Sequence, residues 1–135
     1  MAANTRFATG VHAMVLLAAE TDQLQTSEQL AGKLGINPVV VRRVFSLLHT
    51  AGLLESQKGP RGGSRLARSP KQITLADIYA AVEGGDLFHP VEFSGGQSAK
   101  VSAALKRAVG AADAAMREEL EKTTLNQLAK KSGKK

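Results

Sequence analysis

Thr26-Ser27-Glu28-Gln29-Leu30-Ala31-Gly32-Lys33-Leu34-Gly35-Ile36-Asn37-Pro38-Val39-Val40-Val41-Arg42-Arg43-Val44-Phe45-Ser46-Leu47-Leu48 reads as two helices joined by a tight turn. Thr26, with Gln29 three positions on, makes a capping box, in which side chains satisfy the first backbone N–H groups of a helix. Leu30, Ala31 and Leu34 form the inner face of that helix. Gly35 stops it, because glycine takes the positive φ common just past a helix C-terminus. Asn37 caps the next helix, and Pro38 sits at its first position, where a missing N–H loses no partner. Val41, Val44, Phe45 and Leu48 recur at helical spacing and predict one buried stripe. A helix-turn-helix needs a small residue where the second helix crosses the first, and Ala31 supplies it. It needs positive φ in the turn, supplied by Gly35, and an apolar inner face on the second helix, supplied by Val41 and Val44.

Outward from this pair, Phe7, Val11, Met14, Leu17 and Ala18 predict an amphipathic helix from Arg6 to Ala19, followed by a polar loop. After the pair, Gly52 closes the third helix, and residues 53–57 and 64–67 are short extended segments. The stretch Gly59-Pro60-Arg61-Gly62-Gly63 between them is a turn, which makes the two segments a hairpin. Thr74 caps a fourth helix with Asp77 in its first turn; Ile73 can staple to Ile78, and the helix is expected to run to Gly84-Gly85. Residues 86–97 have no period and read as a loop. Ser98 is the expected cap of a long helix with Val101, Leu105, Ala108, Ala112, Met116 and Leu120 on one face. Its many alanines allow close approach by a partner helix. Thr124 with Gln127 starts a last short helix, and a basic tail follows.

The expected fold is mainly α with a small β-hairpin wing: a winged helix-turn-helix plus a long C-terminal dimerisation helix. Residues 1–85 form the winged helix-turn-helix, residues 86–97 an effector or linker loop, and residues 98–135 the dimerisation helix and C-terminal segment. A chain of 135 residues suffices for one real core. With no cysteine there is no disulfide, thiol switch or thiolate-held metal centre. That composition fits a reducing cytoplasm. The apolar run at residues 11–19 is broken by His12 and followed by acids, so neither a secretory signal nor a membrane span is expected.

Charge points to a partner. The net charge is +6, yet residues 33–71 alone hold eight basic residues against the single acid Glu55. Concentrated positive charge on a near-neutral body suits a polyanion. With the inner stripe of the third helix fixed, Val39, Arg42, Arg43, Ser46 and His49 face away from the core, with Asn37 at the helix start. Arginine can donate bidentately to guanine O6 and N7 in the major groove, and Val39 can touch a thymine methyl. Lys58 and Arg61 flank the hairpin tip, with Arg65 nearby, where glycines let the backbone approach phosphate. The expected DNA-binding set is therefore Asn37, Val39, Arg42, Arg43, Ser46, His49, Lys58, Arg61 and Arg65. The plainer alternative is that these cations solvate a surface, or that the module binds an acidic protein partner. An enzyme is not expected: His12, His49 and His89 are scattered, and no nucleophile–base pair or phosphate-binding loop occurs.

Asn37-Pro38-Val39-Val40-Val41-Arg42-Arg43, Ala51-Gly52-Leu53-Leu54, Lys58-Gly59-Pro60-Arg61-Gly62-Gly63 and the segment from Ile73 to Glu83 closely resemble the Rrf-two (IscR-like) regulators. The resemblance covers nearly the whole chain. It implies a homodimeric winged-helix repressor acting on a pseudo-palindromic duplex operator, with the long helices of two protomers crossing and an effector region in the preceding loop. The effector itself is not identified. Many members hold an iron–sulfur cluster through cysteines in that loop; this chain has none, so no cofactor is expected. His89 and Glu92 alone are a poor basis for a metal site. Some cluster-binding members carry acidic or amide residues where this chain has Arg42 and Arg43, so their operator sequence does not transfer.

Overall fold

A computed structural model describes residues 5–83 and 95–131. Each local stop and start signal between residues 26 and 38 has its expected geometry. Thr26 Oγ1 accepts from the Gln29 N–H at 3.1 Å while Gln29 Oε1 accepts from the Thr26 N–H at 2.8 Å, opening α2 (Ser27–Leu34). Gly35 is left-handed at φ 71° and closes it. Asn37 Oδ1 accepts from the Val39 N–H at 2.7 Å and opens α3 (Pro38–Thr50). Val41, Val44, Phe45 and Leu48 are all buried, as the spacing requires.

Before this pair lies α1 (Thr5–Ala19), one residue longer at its start than the periodicity predicts. It runs through the middle of the molecule and packs against α3. Its Met14 and Leu17 join Leu30, Leu48 and Leu53 in one core. Beyond α3 come β1 (Leu54–Gln57) and β2 (Gly63–Leu66), antiparallel, with Glu55 opposite Arg65 and Ser56 opposite Ser64. β1 starts one residue later than the expected 53–57 and ends where expected, while β2 is shifted one residue earlier than 64–67. β1 starts late because Leu53 closes the α3 turn, its N–H donating to the Leu48 carbonyl at 3.0 Å, before the chain extends.

After a short 3-10 turn at Pro70–Gln72, the Thr74–Asp77 capping box opens α4 (Leu75–Val82). Ile73 and Ile78 are both fully buried, consistent with a hydrophobic staple. α4 ends at Val82, and Gly84-Gly85, the expected end, lies outside the described residues.

The long helix, α5 (Gly96–Leu120), corrects one expectation. It starts at Gly96 with Gly95 as a cap that makes no side-chain hydrogen bond, so Ser98 is inside the helix instead of capping it. The last two residues of the expected loop, 96 and 97, are therefore helical, and residues 86–94 lie outside the described set. No residue of α5 is buried. It meets the body beside Tyr79, whose ring packs edge-on to Phe7 at 5.4 Å and lies under the Arg117 guanidinium at 5.2 Å. Burial raises the Tyr79 pKa, helped by the nearby Asp113 and Glu83 charges and opposed by Arg117, so the phenol stays neutral at this joint.

The final helix, α6 (Leu125–Lys131), returns to the core and packs on α1. Leu125 is fully buried there, and its N–H donates to the Ile73 carbonyl at 2.7 Å. Leu75 N–H donates to the Thr123 carbonyl at 3.0 Å, so α6 is stitched onto the start of α4. The chain thus leaves the body along α5 and comes back.

Candidate nucleic-acid interface

The face of α3 opposite its buried stripe carries Val39, Arg42, Arg43 and Ser46, all exposed; Val39 is 60% accessible. A valine this exposed among the described residues suits contact with a thymine methyl. Asn37 is also exposed, though its Oδ1 is committed to the helix cap. The two arginines differ. Arg42 Nη1 donates to Glu28 Oε2 of α2 at 2.8 Å, whereas Arg43 has no side-chain partner among the described residues. The Glu28 carboxyl lies below its ordinary value, chiefly through its hydrogen bond to a backbone N–H, with the Ser27 hydroxyl and Arg42 adding to the effect and desolvation opposing it. Glu28 is thus an anion at neutral pH.

Two sets of bonds hold the wing at its base, one to the segment before α2 and one to α3. Ser64 exchanges backbone hydrogen bonds with Gln25, N–H to O at 2.8 and 2.9 Å, so the segment before α2 pairs with the outer side of β2. Gln25 is buried and its Oε1 accepts from Lys33 Nζ at 2.8 Å. From α3, His49 Nε2 lies 3.0 Å from Ser64 Oγ. Gly63 makes the close approach possible: at φ 153° a Cβ would sit 2.9 Å from the Gln25 nitrogen. His49, expected among the outward residues, is half-buried and tied to the wing base. Nothing in the local pattern around His49, Gln25 or Ser64 signals this clamp, because it joins segments far apart in sequence. Replacing His49 with alanine removes one part-buried hydrogen bond, an expected loss of roughly 0.5–1.5 kcal/mol of stability. Thermal or denaturant unfolding measures it, and an unchanged midpoint would show that the bond contributes nothing.

At the wing tip Lys58 and Arg61 are exposed and lack side-chain partners among the described residues, as do Arg68 and Lys71 at its far end. Arg65 instead faces its cross-strand neighbour, donating from Nε to Glu55 Oε2 at 2.8 Å. Of the eight basic residues between 33 and 71, Lys33, Arg42 and Arg65 are therefore engaged within the fold, and the other five have no side-chain partner among the described residues.

A helix-turn-helix followed by a two-stranded wing, with exposed cations on both, defines the winged-helix class of DNA-binding regulators. Residues 3–131 match the model of the Rrf2 family, described as iron-dependent transcriptional regulators, and the chain belongs to that family. YwnA of Bacillus subtilis, which bears the name of an HTH-type transcriptional regulator, is 40% identical over 80 residues, covering 59% of this chain and 58% of YwnA. Rv1287 of Mycobacterium tuberculosis, with a name of the same kind, is 33% identical over 140 residues, covering 96% of this chain and 80% of Rv1287. Among solved structures, that of CymR, the global cysteine regulator of B. subtilis, superposes with a TM-score of 0.69 at 27% identity over 93% of this chain and 94% of CymR. The chain spans little more than half the length of YwnA.

The family description speaks of iron, and the donors of this chain do not fit a thiolate-held centre. The sequence has no cysteine, and among the described residues no three histidine, cysteine or carboxylate side chains come together as a metal site. His89 and Glu92 lie outside the described residues. No helix of the described residues is long and apolar enough to cross a membrane.

Proposed function

We propose that this chain is a sequence-specific, duplex-DNA-binding repressor that acts in the cytoplasm as a homodimer on a pseudo-palindromic operator, without an iron–sulfur cluster. One observation carries the reading: α3 exposes Val39, Arg42, Arg43 and Ser46, and the wing tied to it through the His49–Ser64 contact exposes Lys58 and Arg61. α3 enters the major groove, where Val39, Ser46 and the arginines meet base edges and Asn37 lies near the backbone. Lys58 and Arg61 meet phosphate at the wing, with Arg65 and His49 supporting it. Dimerisation supplies the second half-site, and the unburied α5 supplies the surface.

The test is duplex affinity across a salt series. Each neutralised phosphate contributes about −0.9 to the slope of log K against log salt, so several contacts give a steep dependence. Binding that is weak and independent of salt would refute the assignment. A second expectation follows from the donor chemistry. Anaerobic reconstitution with iron and sulfide should yield no stoichiometric cluster and no visible charge-transfer absorption, because thiolates are the usual ligands. Cluster formation in step with a change in operator affinity would overturn the cluster-free reading.

A further inference from the structure

The geometry points to Glu28 as a specificity-determining residue that positions Arg42 and penalises its capture by phosphate; this rests on the DNA-binding reading above. Glu28 lies in the first turn of α2 and Arg42 in the first half of α3, and their side chains meet at 2.8 Å while both remain about half exposed or more. An ion pair this exposed adds little to the stability of the free protein. On a DNA surface its setting changes, because water leaves and the local dielectric falls.

Guanidinium carries five N–H donors in a planar fork, and Glu28 engages Nη1. The remaining donors can still address guanine O6 and N7, so at a matching base pair Arg42 keeps Glu28 and reads the base together. Holding the fork in one orientation also lowers the side-chain entropy lost on binding. At a mismatched pair the nearest acceptor for Arg42 is a phosphate. Moving there leaves the Glu28 carboxylate unpaired beside the negative backbone, an arrangement that is strongly disfavoured. Glu28 therefore weakens binding to wrong sequences more than to the right one. Arg43 has no such carboxylate among the described residues, which makes the restraint particular to Arg42. The sequence hides the pair, since its members are separated by 14 positions on different helices.

The experiment measures affinity of the full chain for two duplexes, one selected by the wild-type protein from a randomised library and one scrambled, each across a salt series. Glu28→Ala is expected to bind the scrambled duplex more tightly, with a slope steeper by about 0.9 as Arg42 gains a phosphate. Its selected-to-scrambled ratio should fall by roughly fivefold or more, the lower end of what one bidentate base contact provides. Glu28→Gln, which keeps an acceptor of the same shape without the charge, should fall in between. In an Arg42→Ala background, Glu28→Ala should lower the ratio no further. An unchanged ratio in both Glu28 variants would overturn the proposal, as would an equal fall in the Arg42→Ala background. If the wild-type chain itself shows no preference between the duplexes, the DNA-reading assignment fails, and Glu28 has no specificity to determine.

Discussion

Leu105→Asp should leave a folded protomer and abolish its self-association. Leu105 is 57% exposed on α5 and Val101 62%, so in the isolated protomer an aspartate at position 105 can be solvated. In a dimer through α5 the same side chain would be covered by the partner, and by symmetry it would enter the interface twice. An unpaired carboxylate buried in this way costs roughly 3–5 kcal/mol, which weakens association by at least two to three orders of magnitude. The sequence of the helix suits such a contact. Val101, Leu105, Ala108, Ala112, Met116 and Leu120 recur along one side, and alanines between them let a second helix come close. Sedimentation should show the wild-type chain as a dimer at micromolar concentration and Leu105→Asp as a monomer with an unchanged circular dichroism spectrum. Operator affinity should fall with it, because a monomer engages one half-site only. A wild-type chain that sediments as a monomer, or a variant that still dimerises, would remove α5 as the dimer surface.

The elements that could be read from sequence are those whose causes are local. Thr26 with Gln29, Asn37 before Pro38, Thr74 with Asp77 and Thr124 with Gln127 each begin a helix where their side chains reach backbone N–H groups within three residues. Gly35 ends a helix by its own conformational freedom. The start of α5 was illegible for the same reason turned round. Gly95 offers no side chain, so the nearest capping residue, Ser98, draws the boundary too late. Long-range pairings left no trace either. The one-residue bridge of Gln25 to Ser64 and that of Thr74 to Thr124 depend on where the helices bring distant segments together. The second bridge explains why α6 belongs with the core despite following the long helix. In the candidate interface, the outward residues of α3 followed from the apolar stripe. What the pattern could not reveal was that Arg42 and His49 each have an internal partner.

Arg42→Ala and Arg43→Ala, set against Lys58→Ala, should separate reading from positioning. At least one of the arginines is expected to touch a base, since both stand on the exposed side of the first half of α3, the part of a recognition helix that reaches base edges. Removing a bidentate arginine–guanine contact should weaken operator binding by roughly 1–3 kcal/mol and relax preference at one base pair, with a much smaller effect on scrambled duplex. Lys58 stands on the wing tip without a side-chain partner among the described residues, so its ammonium is expected to meet phosphate as a point charge. Lys58→Ala should weaken operator and scrambled duplex alike and reduce the salt slope by about 0.9. Fluorescence anisotropy on both duplexes over a range of salt gives affinity, preference and slope together. Equal losses on the two duplexes for both arginine variants would show that neither arginine reads sequence. Recognition would then fall to Asn37 at the start of α3 or to Val39 or Ser46 on its exposed side, which could offer hydrogen bonds and methyl contacts but no charge. The salt slope of those variants would stay at the wild-type value while preference changed.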